Sequence, residues 1–208
     1  MTGRRLPSCR FLLTNPEGHS LTYHGLVLVA EKRPPNGWHV SGSYTFSRMR
    51  GLQSSSGATA ADPQVSTVAP AFPTTTFGQD PNHLTNAYGR LPNDRPHMFR
   101  LLGTVALPRP RVMVAGTFQH FSGKPWAASA QVALPQGDQR ILLEPRGSRR
   151  LSSQALLDLR VSRSIPLGRG RHAEILVDVL NVLNHTAEES LATDNLFSPN
   201  FGVPSIFI

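Results

Sequence analysis

Trp38-His-Val-Ser-Gly-Ser-Tyr-Thr-Phe-Ser-Arg48 is the stretch that decides the fold. Its residues alternate without a break: Trp38, Val40, Gly42, Tyr44 and Phe46 on one side, His39, Ser41, Ser43, Thr45 and Ser47 on the other. Successive side chains of an extended strand point to opposite faces, so strict alternation marks a strand with one apolar and one wet face. The apolar side carries aromatic residues at both ends. That is the pattern of a strand crossing a bilayer with rings at the two interfaces. Asn36-Gly37 stands just before it, and both residues tolerate positive φ, so a tight turn leads back to a preceding strand.

Five further stretches repeat the pattern, giving expected strands over about 22–33, 38–48, 96–107, 111–121, 155–165 and 172–183. The first places Leu26, Leu28 and Ala30 opposite Val27, Val29 and Glu31. The third places Phe99, Leu101, Gly103, Val105 and Leu107 opposite Arg100, Leu102, Thr104 and Ala106. The fourth sets Val112, Val114, Gly116 and Phe118 against Ala115, Thr117 and Gln119. The fifth sets Leu157, Leu159, Val161 and Ile165 against Asp158, Arg160, Ser162 and Ser164, and the sixth Ile175, Val177 and Val179 against Glu174 and Asp178.

The gaps alternate in length. Short turns are expected near Asn36, Pro108 and Gly168, and long loops over roughly 49–94, 122–154 and 184–208. Short turns at one end and long loops at the other are the habit of transmembrane β-barrels. A structureless loop as long as the first argues against an ordinary soluble domain. The expected fold class is therefore all-β, an antiparallel β-meander forming part of a transmembrane β-barrel. Single-chain barrels of the outer membrane need about eight strands. The whole chain, 1–208, thus reads as one partial outer-membrane barrel domain, with a final strand missing after Phe201-Gly-Val-Pro-Ser-Ile-Phe-Ile208.

Composition agrees. Hydrophobic residues make up 39% and charged residues 16% of the chain, with 18 prolines and 17 glycines. Strands with one wet face need few apolar residues, and long loops account for the Pro and Gly. The net charge of +8 points to anionic partners such as outer-membrane lipid and lipopolysaccharide. No module or aromatic–basic interleaving accompanies it, so no nucleic acid partner is expected. The lone cysteine, Cys9, excludes an intrachain disulfide. No apolar run reaches the ~18 residues of a membrane helix. The N-terminus lacks the apolar core of a signal peptide. The chain is therefore expected to be the C-terminal piece of something longer.

Several words in order resemble the C-terminal barrel of TonB-dependent receptors, specifically the Oar-like group with a carboxypeptidase-regulatory-like domain. They are Tyr23-His-Gly-Leu26, Ser43-Tyr-Thr-Phe-Ser47, Asn86-Ala-Tyr-Gly-Arg90, Asp94-Arg-Pro-His97, Glu144-Pro-Arg-Gly-Ser-Arg-Arg150, Leu157-Asp-Leu-Arg-Val161 and Asp178-Val-Leu-Asn-Val-Leu-Asn184. The resemblance implies a barrel of about 22 strands around a plug. It also implies uptake of a substrate through an inner-membrane energy-coupling complex. The plug, the energy-coupling box and most strands have no counterpart here. The chain would contribute wall strands and outer, ligand-facing loops, with the remaining strands and plug supplied by a parent protein.

No nucleophile elbow, phosphate loop or metal-spaced pair is present among the residues, and the eight histidines are scattered, so no catalytic residue, metal or cofactor is expected. Asp94-Arg-Pro-His97 reads as the lead into a strand, with Asp94 paired to Arg95 or a neighbouring arginine. Glu144–Arg150 reads as a solvated basic loop word tied to Glu144, with contact to an anionic ligand or lipopolysaccharide as the alternative. Asp158, Arg160, Glu174 and Asp178 are the lumen-facing polar candidates, placed for cross-strand ion pairs. Trp38, Tyr44, Phe46, Phe99 and Phe118 are the interfacial aromatic candidates. Two rival functions stay open: a structural or adhesion outer-membrane β protein without transport, and a soluble basic β-rich binding domain.

Overall fold

The computed structural model describes residues 20–35, 37–52, 81–109, 111–135 and 137–207. Cys9, Asn36 and most of the expected first long loop lie outside these residues. The chain runs through β1 (Leu21–Lys32), β2 (Trp38–Gly51), a short 3-10 turn (Pro81–Leu84), β3 (Gly89–Arg90), β4 (His97–Leu107) and β5 (Val112–Phe121). It continues through β6 (Pro125–Trp126), β7 (Ser129–Leu134), β8 (Gly137–Leu142), β9 (Arg149–Arg150), β10 (Gln154–Gly168), β11 (Arg171–Val179), β12 (Glu188–Leu191) and β13 (Pro204–Phe207).

The long strands form one antiparallel meander in the order β1-β2-β4-β5-β10-β11, with β3 added to the far end of β2. Their lengths, from 9 residues in β11 to 15 in β10, match the roughly 9–11 residues a tilted strand needs to cross a bilayer. The three hairpins turn at 33–37, 108–111 and 168–171, all at one end of the sheet. Positive φ at Gly37 (77°), Arg111 (61°) and Arg169 (51°) tightens these turns. Gly168 and Gly170, at 81° and 75°, tolerate that region without a Cβ penalty. The only register shift in the five long ladders falls between Pro166 and Gly168, beside the last turn.

Because register is unbroken elsewhere, one face is continuous across all six strands. The neighbours Leu28–Tyr44–Phe99–His120, Gly42–Leu101–Phe118–Leu157 and Trp38–Val105–Val114–Val161–Val177 run straight across it. The other face carries Ser43–Arg100–Gln119, Ser41–Leu102–Thr117–Asp158 and His39–Thr104–Ala115–Arg160–Asp178. A slip of one residue in any strand would have exchanged its faces.

The connections at the opposite end are not plain loops. The expected loop 122–154 contains β6 paired with β9 and the hairpin β7–β8, and the segment after β11 contains β12 paired with β13. These pieces pack into a cap, and the cap holds the molecule's buried apolar residues. Leu91, Ala127, Ala128, Ala130, Leu151, Ala187 and Leu191 all lie there. The sheet itself stays bare: Leu28, Val105, Leu159, Ile175 and Val177 are exposed on the apolar face. β11 stops at Val179, short of the expected Leu183. The chain turns there, with Asn181 and Asn184 at φ 48° and 46°, a region asparagine enters more readily than most residues.

Candidate functional site

The polar candidates share one face but form separate contacts. Arg160 and Asp178 are direct partners on β10 and β11, and the guanidinium donates from Nε and Nη2 to the two carboxylate oxygens at 2.6 and 2.8 Å. Asp158 does not join them. Its Oδ1 accepts the backbone N–H of Asn181 at 2.8 Å, which fixes the turn that ends β11. Glu174 stands opposite Ser164, nearer the short-turn end.

The aromatic candidates separate into two groups along the strands. At the cap end, the Phe99 and Phe118 rings lie 6.0 Å apart, centroid to centroid. The Phe46 ring is 5.4 Å from His97, and Tyr44 bonds His97 Nδ1 through its hydroxyl at 2.7 Å. Trp38 stands at the short-turn end, with the Lys32 ammonium 5.7 Å from its ring.

The cap is latched by ion pairs between residues distant in sequence. Asp94, 2% exposed, accepts the Met49 N–H at 2.6 Å and pairs with Arg150. Arg150 Nη1 also donates to the carbonyls of Asp94 and Gly123, at 2.7 and 2.9 Å. Asp94 thus pairs with Arg150 and not with adjacent Arg95. Arg95 turns to Gln154 Oε1 at 2.8 Å and to Glu189 at 3.1 Å. Glu189 is the second hub, taking Lys124 and a 2.6 Å bond from Gln154 Nε2 as well. Burial works to raise the Glu189 carboxyl, but the bonds from Lys124 and Gln154 and the charges of Lys124 and Arg95 outweigh it and hold it below the usual carboxylate range. A third latch joins buried Asp194 to Arg140 and, at 2.9 Å, to the Ser129 hydroxyl.

The basic word Glu144–Arg150 is built into the cap. Glu144 Oε1 accepts the Ala128 N–H and Arg149 Nε, both at 2.7 Å. Its carboxyl is lowered, burial opposing the bonds from Ala128, Arg149 and Ser148. Arg149 lies over the rings of Trp126 and Phe201 at 5.1 and 5.6 Å, a cation–π arrangement. Arg146 accepts the Arg90 N–H on its carbonyl at 3.1 Å, which brings the word against β3. A cavity of about 260 Å³ opens there, lined by Arg50, Tyr88, Arg90, Arg146 and Ser148 among others.

Sequence reading did not find the Asp94–Arg150 and Glu189 hubs or this arginine-lined cavity. The basic word was visible, but nothing local ties it to Arg50 and Arg90. Among the described residues, no group of three or more His, Cys, Asp or Glu side chains stands together as a metal site, and no helix is long and apolar enough to cross a membrane. The architecture offers a two-faced wall and an ordered cap.

Comparison with protein families matches residues 4–139 to the family described as Outer membrane beta barrel domain. No curated protein and no solved structure matches the chain. The matched residues cover the first four long strands, and β10 and β11 carry the same two faces onward in unbroken register. The chain belongs to the outer membrane β-barrel domain family, and its place is the outer membrane.

Proposed function

We propose that this sheet is a wall segment of an outer-membrane receptor barrel of the TonB-dependent, Oar-like kind. Its apolar face would lie against lipid and its cap outside the cell, at the mouth of a substrate-uptake path. The carrying observation is the contrast between cap and sheet. Buried apolar residues gather in the cap, while Leu28, Val105, Leu159, Ile175 and Val177 form a bare, continuous belt. A contiguous apolar belt is uncommon on surfaces that face water, and lipid covers it without cost.

Two further features support the reading. Among the described residues, β1 and β11 each pair along one side only. An open edge in hydrocarbon leaves backbone groups unsatisfied at several kcal/mol each, so further strands must complete the barrel. On the polar face, Val27, Val29, Leu102 and Leu176 stay exposed between the Ser, Thr and charged side chains. A plug domain inside the barrel would cover them, with Arg160–Asp178 and Glu174 contacting it or the solute. The chain performs no chemistry in this role. The cap, held by Asp94, Glu189 and Asp194, gives ligand-facing loops a rigid base.

The test is cross-linking in intact cells followed by purification of the full-length protein from outer membranes. The receptor reading expects the inner-membrane energy-coupling protein to be recovered with it, more so when substrate-rich medium is supplied. A folded barrel that never captures that protein would favour a structural or adhesion role.

A further inference from the structure

The cavity at the edge of the cap has a composition that its own fold does not explain. Arg50 on β2 and Arg90 on β3 are direct antiparallel partners, and both line the cavity. Like charges placed opposite each other destabilise a sheet. Arg146 adds a third, and among the described residues no carboxylate lines the cavity. Among the described residues, the Arg50 and Arg90 side chains make no hydrogen bond or ion pair, and Arg50 Nε is buried without an acceptor. Four carboxylates of the cap are engaged elsewhere: Asp94 with Arg150, Glu144 with Arg149, Glu189 with Arg95 and Lys124, Asp194 with Arg140. The backbone is built for the close approach. A Cβ on Gly89 would stand 2.1 Å from the Arg146 carbonyl oxygen, and one on Gly147 would stand 2.6 Å from the Arg90 Cβ.

The face on which this cluster lies identifies its ligand. Register from Leu26–Phe46 to Thr22–Arg50 is unbroken, so Arg50 shares the face of Tyr44 and Phe46, and Arg90 shares it as the partner of Arg50. That is the apolar face. A rise of about 3.3 Å per residue puts Arg50 roughly 13 Å beyond Phe46 along the strand, or about 10 Å along the membrane normal at a tilt near 40°. If the rings mark the edge of the hydrocarbon, the cluster stands at headgroup depth, on the lipid side of the wall. Guanidinium forks match phosphoryl oxygens in pairs. We propose that Arg50, Arg90 and Arg146 bind a phosphoryl group of an outer-leaflet glycolipid of the lipopolysaccharide class. The inference rests on the reading that the apolar face meets lipid.

The test uses the full-length protein folded in phosphatidylcholine bilayers and titrated with lipopolysaccharide, native or phosphatase-treated. Only the fraction with the heat-shifted mobility of a folded barrel is scored. Native lipopolysaccharide should bind at least about tenfold more tightly than the phosphatase-treated form, from the loss of charged hydrogen bonds. The double variant Arg50→Gln/Arg90→Gln should lose a similar factor, and Arg50→Lys/Arg90→Lys should recover part of it. Arg169→Gln, which removes one charge at the short turn, should bind as the parent does. Equal binding by the Gln double variant and the parent overturns the proposal. So does free pyrophosphate that occupies the site without competing with lipopolysaccharide, which would make it a solute site. In the same bilayers, brominated chains should quench Trp38 in a background where it is the sole tryptophan. Quenching with no loss in the Gln double variant sinks the phosphoryl site alone, and absence of quenching sinks the lipid-facing wall beneath it.

Discussion

Replacing Asp94 by alanine should unlatch the cap while leaving the sheet intact. Asp94 is 2% exposed and its carboxylate serves two partners, the Met49 N–H at 2.6 Å and the Arg150 guanidinium. Breaking a buried pair by removing one partner costs about 3–5 kcal/mol. Arg150 is 22% exposed and keeps its bonds to two carbonyls, so the pair contributes less than a fully buried one, about 2–3 kcal/mol. The stranded Met49 N–H adds about 1–3 kcal/mol. The sum, about 3–6 kcal/mol, corresponds to a loss of roughly two to four orders of magnitude in protection against local opening. Hydrogen exchange read by mass spectrometry on the membrane-embedded protein should show it at Met49, Leu91 and the β6–β9 pair, with β4 and β5 unchanged. Asp138→Ala removes an exposed carboxylate with no partner among the described residues, and should change protection by less than about 0.5 kcal/mol. Equal exchange in the two variants would refute the latch.

Three further outcomes follow from the same geometry. Leu101 and Leu102 are adjacent, similar in exposure at 38% and 41%, and on opposite faces. Leu101→Arg should therefore cost about 2–4 kcal/mol near the bilayer midplane and Leu102→Arg far less, measured by denaturant titration in liposomes. Glu189 has a lowered pKa in the folded protein, so its contribution is fully present above the ordinary carboxylate range and is lost as pH falls through the lowered value. Protease shaving of the cap should accelerate across that acid window and slow again on neutralisation, and Glu189→Gln should flatten the dependence. Gly147→Ala would force a side chain into positive φ (69°) and against Arg90, and should cost a few kcal/mol of cap stability with no effect on sheet exchange.

The wall was legible and the cap was not, for a physical reason. A strand's two environments repeat every second residue, so Trp38–Arg48 reveals its faces locally, and Arg160 and Asp178 can be matched across a hairpin with a short turn. The cap is held by pairs such as Asp94–Arg150 and Arg95–Glu189, whose members lie far apart in sequence and follow no period. Asp94 sits next to Arg95 in the chain, yet adjacent side chains leading into a strand point apart, which sends them to different partners. Asp158 alternates correctly with Arg160, but the early end of β11 brings the Asn181 N–H within its reach instead. The arginine-lined cavity needs three separate segments, and only the word Glu144–Arg150 stood out by itself.

The central claim is that one face of this sheet meets lipid. Single cysteines introduced in turn from Phe99 to Val105 on β4, in a background with native cysteines replaced, and labelled with a nitroxide would test it most directly. In the membrane-embedded full-length protein, oxygen accessibility should peak at positions 99, 101, 103 and 105, and a water-soluble nickel chelate should peak at 100, 102 and 104, with period two. Uniform accessibility to the nickel chelate at all seven positions, or maxima on the opposite residues, would contradict the account.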